Sequence, residues 1–139
     1  MSIFTENQEP MFASKEHYEF FKQTCERLNA DCYFKALIYT VGISQDTRSR
    51  WSSFYDEKER TIKPEVINNG WQTSGSVRIT RLAFQLFTGS TPTAIEYDKD
   101  DNPQFSFIVC LLFCVSDSFC CSYARFFVEG VKLRYPDFF

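Results

Sequence analysis

The sequence predicts a mainly α-helical fold: one compact domain of about five helices, with a small β-hairpin near 94–110 that makes it α+β. Three observations predict it. Apolar residues recur at helical spacing over 15–28 and 75–88. Ser14 and Ser74 stand before these stripes as capping residues, and Asn29 and Gly89 stand just after them. Apolar and polar residues alternate on both sides of the polar cluster Asp98 to Pro103, as in two short strands joined by a turn. The 139 residues suffice to bury about two thirds of the unfolded surface in a single core.

In chain order, residues 1–11 are polar and read as a flexible tail, so the globular domain is expected over 12–139. Ser14 is placed to cap a helix over 15–28, since its hydroxyl can accept from the free amides of the first turn. Tyr18, Phe21, Cys25 and Leu28 form its apolar stripe, and Asn29 and Ala30 end it. Asp31 can cap a second helix with Phe34, Leu37, Ile38 and Val41 on one face and Gly42 just past the end. A weaker helix is expected over 45–54, with Trp51 and Phe54 apolar. The charged stretch from Tyr55 to Lys63 reads as a solvated loop. Pro64 suits the first turn of a short helix over 64–69, ended by Gly70.

Ser74 is expected to cap the clearest helix, 75–88, which turns Ile79, Leu82, Ala83 and Leu86 inward and stops at Gly89. Ile95 and Tyr97 then alternate with polar residues, as do Phe105, Phe107 and Val109 beyond the turn. The apolar run after Val109 fits a strand and a helix equally. A last helix is expected over 119–134, with Phe119, Tyr123, Phe126, Phe127 and Val131 inward and Lys132 and Arg134 at the negative end of its dipole.

Composition excludes several classes. Net charge is −3, so no overall basic field draws the chain to nucleic acid, and direct nucleic-acid binding is not expected. The longest apolar stretch, Phe105 to Val115, is far shorter than the roughly 20 residues of a membrane span. The start of the chain carries Glu6 and Glu9 and lacks an apolar signal core, so the protein is expected to be soluble and cytoplasmic with reduced thiols. The six cysteines then read mainly as small buried hydrophobes.

Chemistry is sparse. A single histidine, His17, excludes HExxH and Cys2His2 motifs. The phosphate cradles GxGxxG and GxxxxGK[ST] and the GxSxG elbow are missing. His17 could pair with Cys25 or Cys121 as base and nucleophile, but its place in a first helical turn is an ordinary one for a surface histidine. Cys110, Cys114, Cys120 and Cys121 cluster in a C-x3-C-x5-C-C pattern that is not the usual knuckle, so a zinc site on them is the alternative and burial the expectation. Asp98, Asp100, Asp101 and Asn102 suggest calcium, yet an EF-hand would need Gly and Glu where Pro103 and Val109 stand, so a solvated turn is expected.

Two features invite a binding role. Arg78 and Arg81 lie one helical turn apart and could share a face with Arg48 or Arg50, to hold a phosphate or a partner carboxylate or simply to salt-bridge nearby acids. The string from Gly70 to Ser76 sets an indole, an amide and hydroxyls before a helix N-terminus, where anions are favoured. Trp71, Gln72, Thr73, Ser74, Arg78 and Arg81 are therefore the candidate binding residues, weighed against a plain capped helix with a buried Trp.

Phe12-Ala13-Ser14-Lys15-Glu16-His17, Ile62-Lys63-Pro64-Glu65, Gly70 to Ser76, Arg81-Leu82-Ala83-Phe84 and Val131 to Pro136, in this order, resemble a family of small uncharacterised proteins, a domain of unknown function, from Clostridia and related Gram-positive bacteria and their prophages and mobile elements. The resemblance covers 11–89 and 118–138, and 93–117 fits it poorly, as an insertion would. It implies a bacterial or phage cytoplasmic protein and no particular activity. The function expected is a non-enzymatic protein that binds a host or phage protein, in its sharpest form an anti-CRISPR-like inhibitor of a defence nuclease. The alternatives are a zinc-stabilised domain or a small enzyme. No other cofactor is expected. Any aromatic surplus available to a partner is expected at Phe105 to Phe113 and at the Trp71 corner.

Overall fold

In this computed structural model the structure describes residues 9–89, 96, 97, 99, 100, 103, 104 and 115–139. Helix α1 spans Lys15–Leu28. Ser14 caps it as expected, accepting from the His17 amide, and Asn29 closes it in the left-handed conformation at φ 51°. Helix α2 spans Cys32–Val41, and Asp31 accepts from the Phe34 amide. Every residue of α2 from Ala36 to Val41 is buried. From Ala36 on, α2 is covered on all sides, as a central helix is. It packs chiefly against α5, Ser74–Thr88, and α7, Ala124–Arg134, with α1 on a further side.

Close backbone approach makes this arrangement work at two glycines. A Cβ on Gly130 of α7 would lie 2.8 Å from Thr40 Oγ1 and 3.4 Å from Leu86 Cδ1, so the bare Cα lets α7 sit down on α2 and α5. A Cβ on Gly42 would come within 2.8 Å of both His17 Cδ2 and Phe20 Cδ1. Gly89 ends α5 at φ 72°, the left-handed cap that glycine adopts without strain. Ile79, Leu82, Ala83 and Leu86 all face inward as the periodicity predicts. Phe54, Phe84 and Phe127 are fully enclosed, each contributing roughly 1.5–3 kcal/mol by burial.

The short elements depart from expectation. The single helix expected over 45–54 is two one-turn helices, α3 Gln45–Arg48 and α4 Trp51–Phe54. The buried Thr47 hydroxyl turns back onto the Val41 and Ser44 carbonyls, and Arg50 leaves the helical region at φ −115°, ψ 30°. The break lets both Trp51 and Phe54 reach the core. Residues 55–63 are a tight hairpin rather than an open loop: β1 Tyr55–Asp56 pairs antiparallel with β2 Thr61–Ile62. The Asp56 carboxylate accepts from the Lys58 and Glu59 amides, and Arg60 takes the left-handed conformation at φ 58°. The 64–69 helix is a 3-10 turn over Pro64–Asn68 that ends at Asn69 rather than Gly70.

Near the expected 94–110 hairpin, β3 Glu96–Tyr97 pairs antiparallel with β4 Pro103–Gln104. Asp98, Asp101, Asn102 and the run from Phe105 to Phe113 lie outside the described residues. The last helix begins later than expected. A separate turn, α6 Val115–Ser118, precedes a bend, and α7 starts only at Ala124. Tyr123 has no capping side chain, and the bend brings Phe119 and Tyr123 both against Phe127. A 3-10 turn, Pro136–Phe138, follows α7. Residues 1–8 of the expected tail lie outside the described residues, whereas Met11 is tied down: its amide donates to Glu129 at 3.0 Å and its carbonyl accepts from the Tyr39 hydroxyl. Among the described residues, no helix is long and apolar enough to cross a membrane.

Candidate functional site

The corner before α5 is built from hydroxyls and an amide that satisfy one another. Thr73, in extended backbone, is the cap: its hydroxyl accepts from the Ser76 amide at 3.1 Å, and Ser76 Oγ accepts from the Thr73 amide at 2.7 Å. This reciprocal box displaces the expected cap Ser74 into the first helical position. Gln72 spans outward from it, donating to the Val66 carbonyl and to Thr80 Oγ1, both at 3.1 Å, and accepting from Ser76 Oγ at 2.5 Å. Trp71 is half-buried against Phe54, with the Arg50 guanidinium 4.5 Å from its ring centre. The corner therefore serves to seat α5 on the 3-10 turn.

Arg78 and Arg81 come together, but on Asp117. Arg78 reaches one carboxylate oxygen at 3.3 Å and Arg81 the other at 3.2 Å, while Arg78 Nε donates to the Asp117 carbonyl at 2.8 Å. Both arginines are thus occupied in pinning α6 to α5. Arg48 and Arg50 do not join them. Arg48 donates to the Gly42 carbonyl at 3.0 Å, and Arg50 to the Asp46 carbonyl at 2.9 Å.

His17 is not a surface residue. It is fully buried, with Nδ1 accepting from the Ala13 amide at 3.0 Å and Nε2 donating to the Tyr39 carbonyl at 2.8 Å. Its pKa is lowered to about 4: burial does most of this, the bond to the Tyr39 carbonyl opposes it, and the Arg48 charge adds a smaller downward push. Both ring nitrogens are committed to backbone, so the geometry holds the chain together at 13 and 39 rather than presenting a base to a thiol. Cys25, the expected partner, is half-buried, and burial raises its thiol to about 11. The other, Cys121, donates to the Ser118 carbonyl at 3.5 Å. Next to His17, Ala13, Ser14, Glu16, Ile43, Gln45 and Arg48 line an open cleft of about 430 Å³.

Of the four late cysteines, Cys120 is exposed and Cys121 half-buried, while Cys110 and Cys114 lie outside the described residues. Among the described residues no three His, Cys, Asp or Glu side chains gather as a metal site would require. A different surface stands out. At the end of α7, the Arg134 guanidinium lies against two half-exposed tyrosines, 3.6 Å from the centre of the Tyr33 ring and 4.5 Å from that of Tyr135. The Phe138 and Phe139 rings that follow are exposed. Helical position alone marks Arg134 only as a residue suited to the dipole, and Tyr33 lies at the other end of the chain.

A family model described as a family of unknown function, DUF6075, matches residues 7–139, across the 93–117 stretch as well as the segments on either side. No curated protein matches the chain, and no solved structure does.

Proposed function

The chain belongs to the DUF6075 family of unknown function, and from that premise, which carries no activity with it, we propose that it is a non-enzymatic protein-binding protein. The observation that carries this reading is the α7 end, where two exposed tyrosines lie against the half-buried guanidinium of Arg134. Arginine and tyrosine dominate the energetics of protein interfaces, because they bury large area and keep directed polar contacts. In its specific form the protein is encoded by a phage or mobile element, acts in the cytoplasm of a bacterial host, and blocks a defence nuclease by occupying its surface. The sequence resemblance to proteins of prophages and mobile elements supports that form.

The test is capture by the full chain, tagged and expressed in a bacterial host with an active nuclease-based defence. A defence protein recovered in near-equal amount, together with restored phage plating, is the expected result. Capture of other host proteins alone overturns the inhibitor form. Capture of no protein above a tag-only control overturns protein binding itself.

A further inference from the structure

Arg134 is held in place from three directions. Its Nε donates to the Leu86 carbonyl at 2.8 Å, which satisfies one of the carbonyls left free in the last turn of α5. The Tyr33 ring from the first turn of α2 lies against the guanidinium, and so does the Tyr135 ring. Capping α5 uses one of the five N–H groups. Among the described residues the other four, on the two terminal nitrogens, meet no acceptor, and Arg134 enters no ion pair there. The contrast with Arg78 and Arg81 is plain, since Asp117 answers both of those.

The two rings limit how a ligand reaches this cation. With the Tyr33 ring 3.6 Å away and the Tyr135 ring 4.5 Å away, the guanidinium is met by aromatic surface, while its two terminal nitrogens find no acceptor among the described residues. A carboxylate is planar and accepts two parallel N–H bonds from such a fork. The rings and the Leu86 carbonyl also hold the side chain in advance, so little side-chain entropy is lost on binding. The overall charge is −3, so an anion arriving here answers a local charge rather than a general field. The exposed rings of Tyr33, Tyr135, Phe138 and Phe139 favour apolar residues beside the acid.

We propose that Tyr33, Arg134 and Tyr135 form a notch that docks an acidic segment of a partner protein, gripping an Asp or Glu carboxylate at Arg134. This rests on the protein-binding reading above and names the surface and the partner chemistry.

The test titrates the intact 15N-labelled protein with the capped peptide Ac-Leu-Glu-Glu-Leu-NH2, its Gln-Gln counterpart and inorganic phosphate, following the Arg134 Nε–H signal and the Tyr33 and Tyr135 amides. The Glu peptide should shift these signals saturably, with the Gln peptide at least tenfold weaker. Arg134→Lys keeps the charge but not the fork, and should weaken the Glu peptide at least tenfold. Tyr33→Leu leaves Arg134 in place, removes one of the two rings, and should weaken it several-fold. Equal shifts with the Gln peptide, no shift at Arg134, or tighter binding of phosphate than of the Glu peptide each overturn the notch. Protein capture undiminished by Arg134→Lys overturns the notch while protein binding stands. Saturable Glu-peptide binding with no protein captured upholds the carboxylate grip at Arg134 and overturns the protein-binding function proposed above.

Discussion

Acid should destabilise this protein through His17, and by an amount the structure sets. Neutral His17 uses its one N–H on the Tyr39 carbonyl and its one lone pair on the Ala13 amide. A second proton would have to sit on Nδ1, where it faces the Ala13 N–H, donor against donor. It would also add a buried charge near the Arg48 guanidinium. The folded pKa is about 4, against 6.5 in the unfolded chain, chiefly through burial. The unfolded state therefore binds more protons between these values, so stability falls as pH falls through that window and is fully present above 6.5. At about 1.4 kcal/mol per pH unit, the loss between pH 6.5 and 4 is about 3 kcal/mol.

Urea unfolding of wild type and His17→Gln between pH 7.5 and 4 measures it. Gln offers one acceptor and one donor but does not titrate, and the carboxylates that protonate in the same range cancel in the difference. The wild type should lose about 3 kcal/mol more than the variant across the window. Hydrogen exchange should show the Ala13 amide losing protection first as pH falls, because the imidazole is its acceptor. Parallel pH profiles, within about 0.5 kcal/mol, or an imidazole signal titrating near 6.5 would refute the reasoning.

Other outcomes follow from local geometry. Thr73→Ala should cost about 1 kcal/mol while Ser74→Ala stays within about 0.5, because Thr73 holds the capping box, and thermal melts that rank them in reverse would return the cap to Ser74. Gly130→Ala gains about 1 kcal/mol of helix propensity but drives a methyl to 2.8 Å from Thr40 Oγ1, and overpacking of about 1–3 kcal/mol should win. A raised melting temperature would show that α7 can lift off α2 freely. Protein purified without a tag should contain less than about one tenth of an equivalent of zinc by elemental analysis, and stoichiometric zinc would restore the cysteine site, since structural zinc is held tightly at neutral pH.

The long helices were legible because their signals are local. Ser14 and Asp31 stand one residue before their helices and do cap them, and the stripe of α5 is the buried face. The segment 45–54 was not legible as two turns, because four residues are too few to show a period and the break depends on the Thr47 hydroxyl meeting the Val41 carbonyl. Charge hid the 55–62 hairpin, whose register rests on backbone pairing and whose Tyr55 is buried. Thr73 and Ser74 are chemically interchangeable as caps, and only the reciprocal bond from Ser76 separates them. His17 did carry a signal: with Phe21 and Thr24 it marks the buried stripe of α1, one step round from the stripe the apolar residues suggested. Its acceptor, 22 residues away, carried none.

The candidate site shows the same division at the level of charge. Whether an arginine is a binding group depends less on its helix than on what the fold brings opposite it. Arg78 and Arg81, spaced as a helical pair, look ready for an anion, but the chain supplies Asp117 from 36 and 39 residues away and closes them internally. Arg134, which its position marks only as suited to the dipole of α7, is met instead by a carbonyl and two aromatic rings and, among the described residues, by no carboxylate. An arginine paired with a carboxylate is closed within the fold, whereas one held by a carbonyl and aromatic rings keeps its charge uncompensated among the described residues. On that ground the proposed binding surface lies at the α7 end rather than at the Trp71 corner, because there exposed aromatic rings lie beside a cation that no carboxylate among the described residues meets.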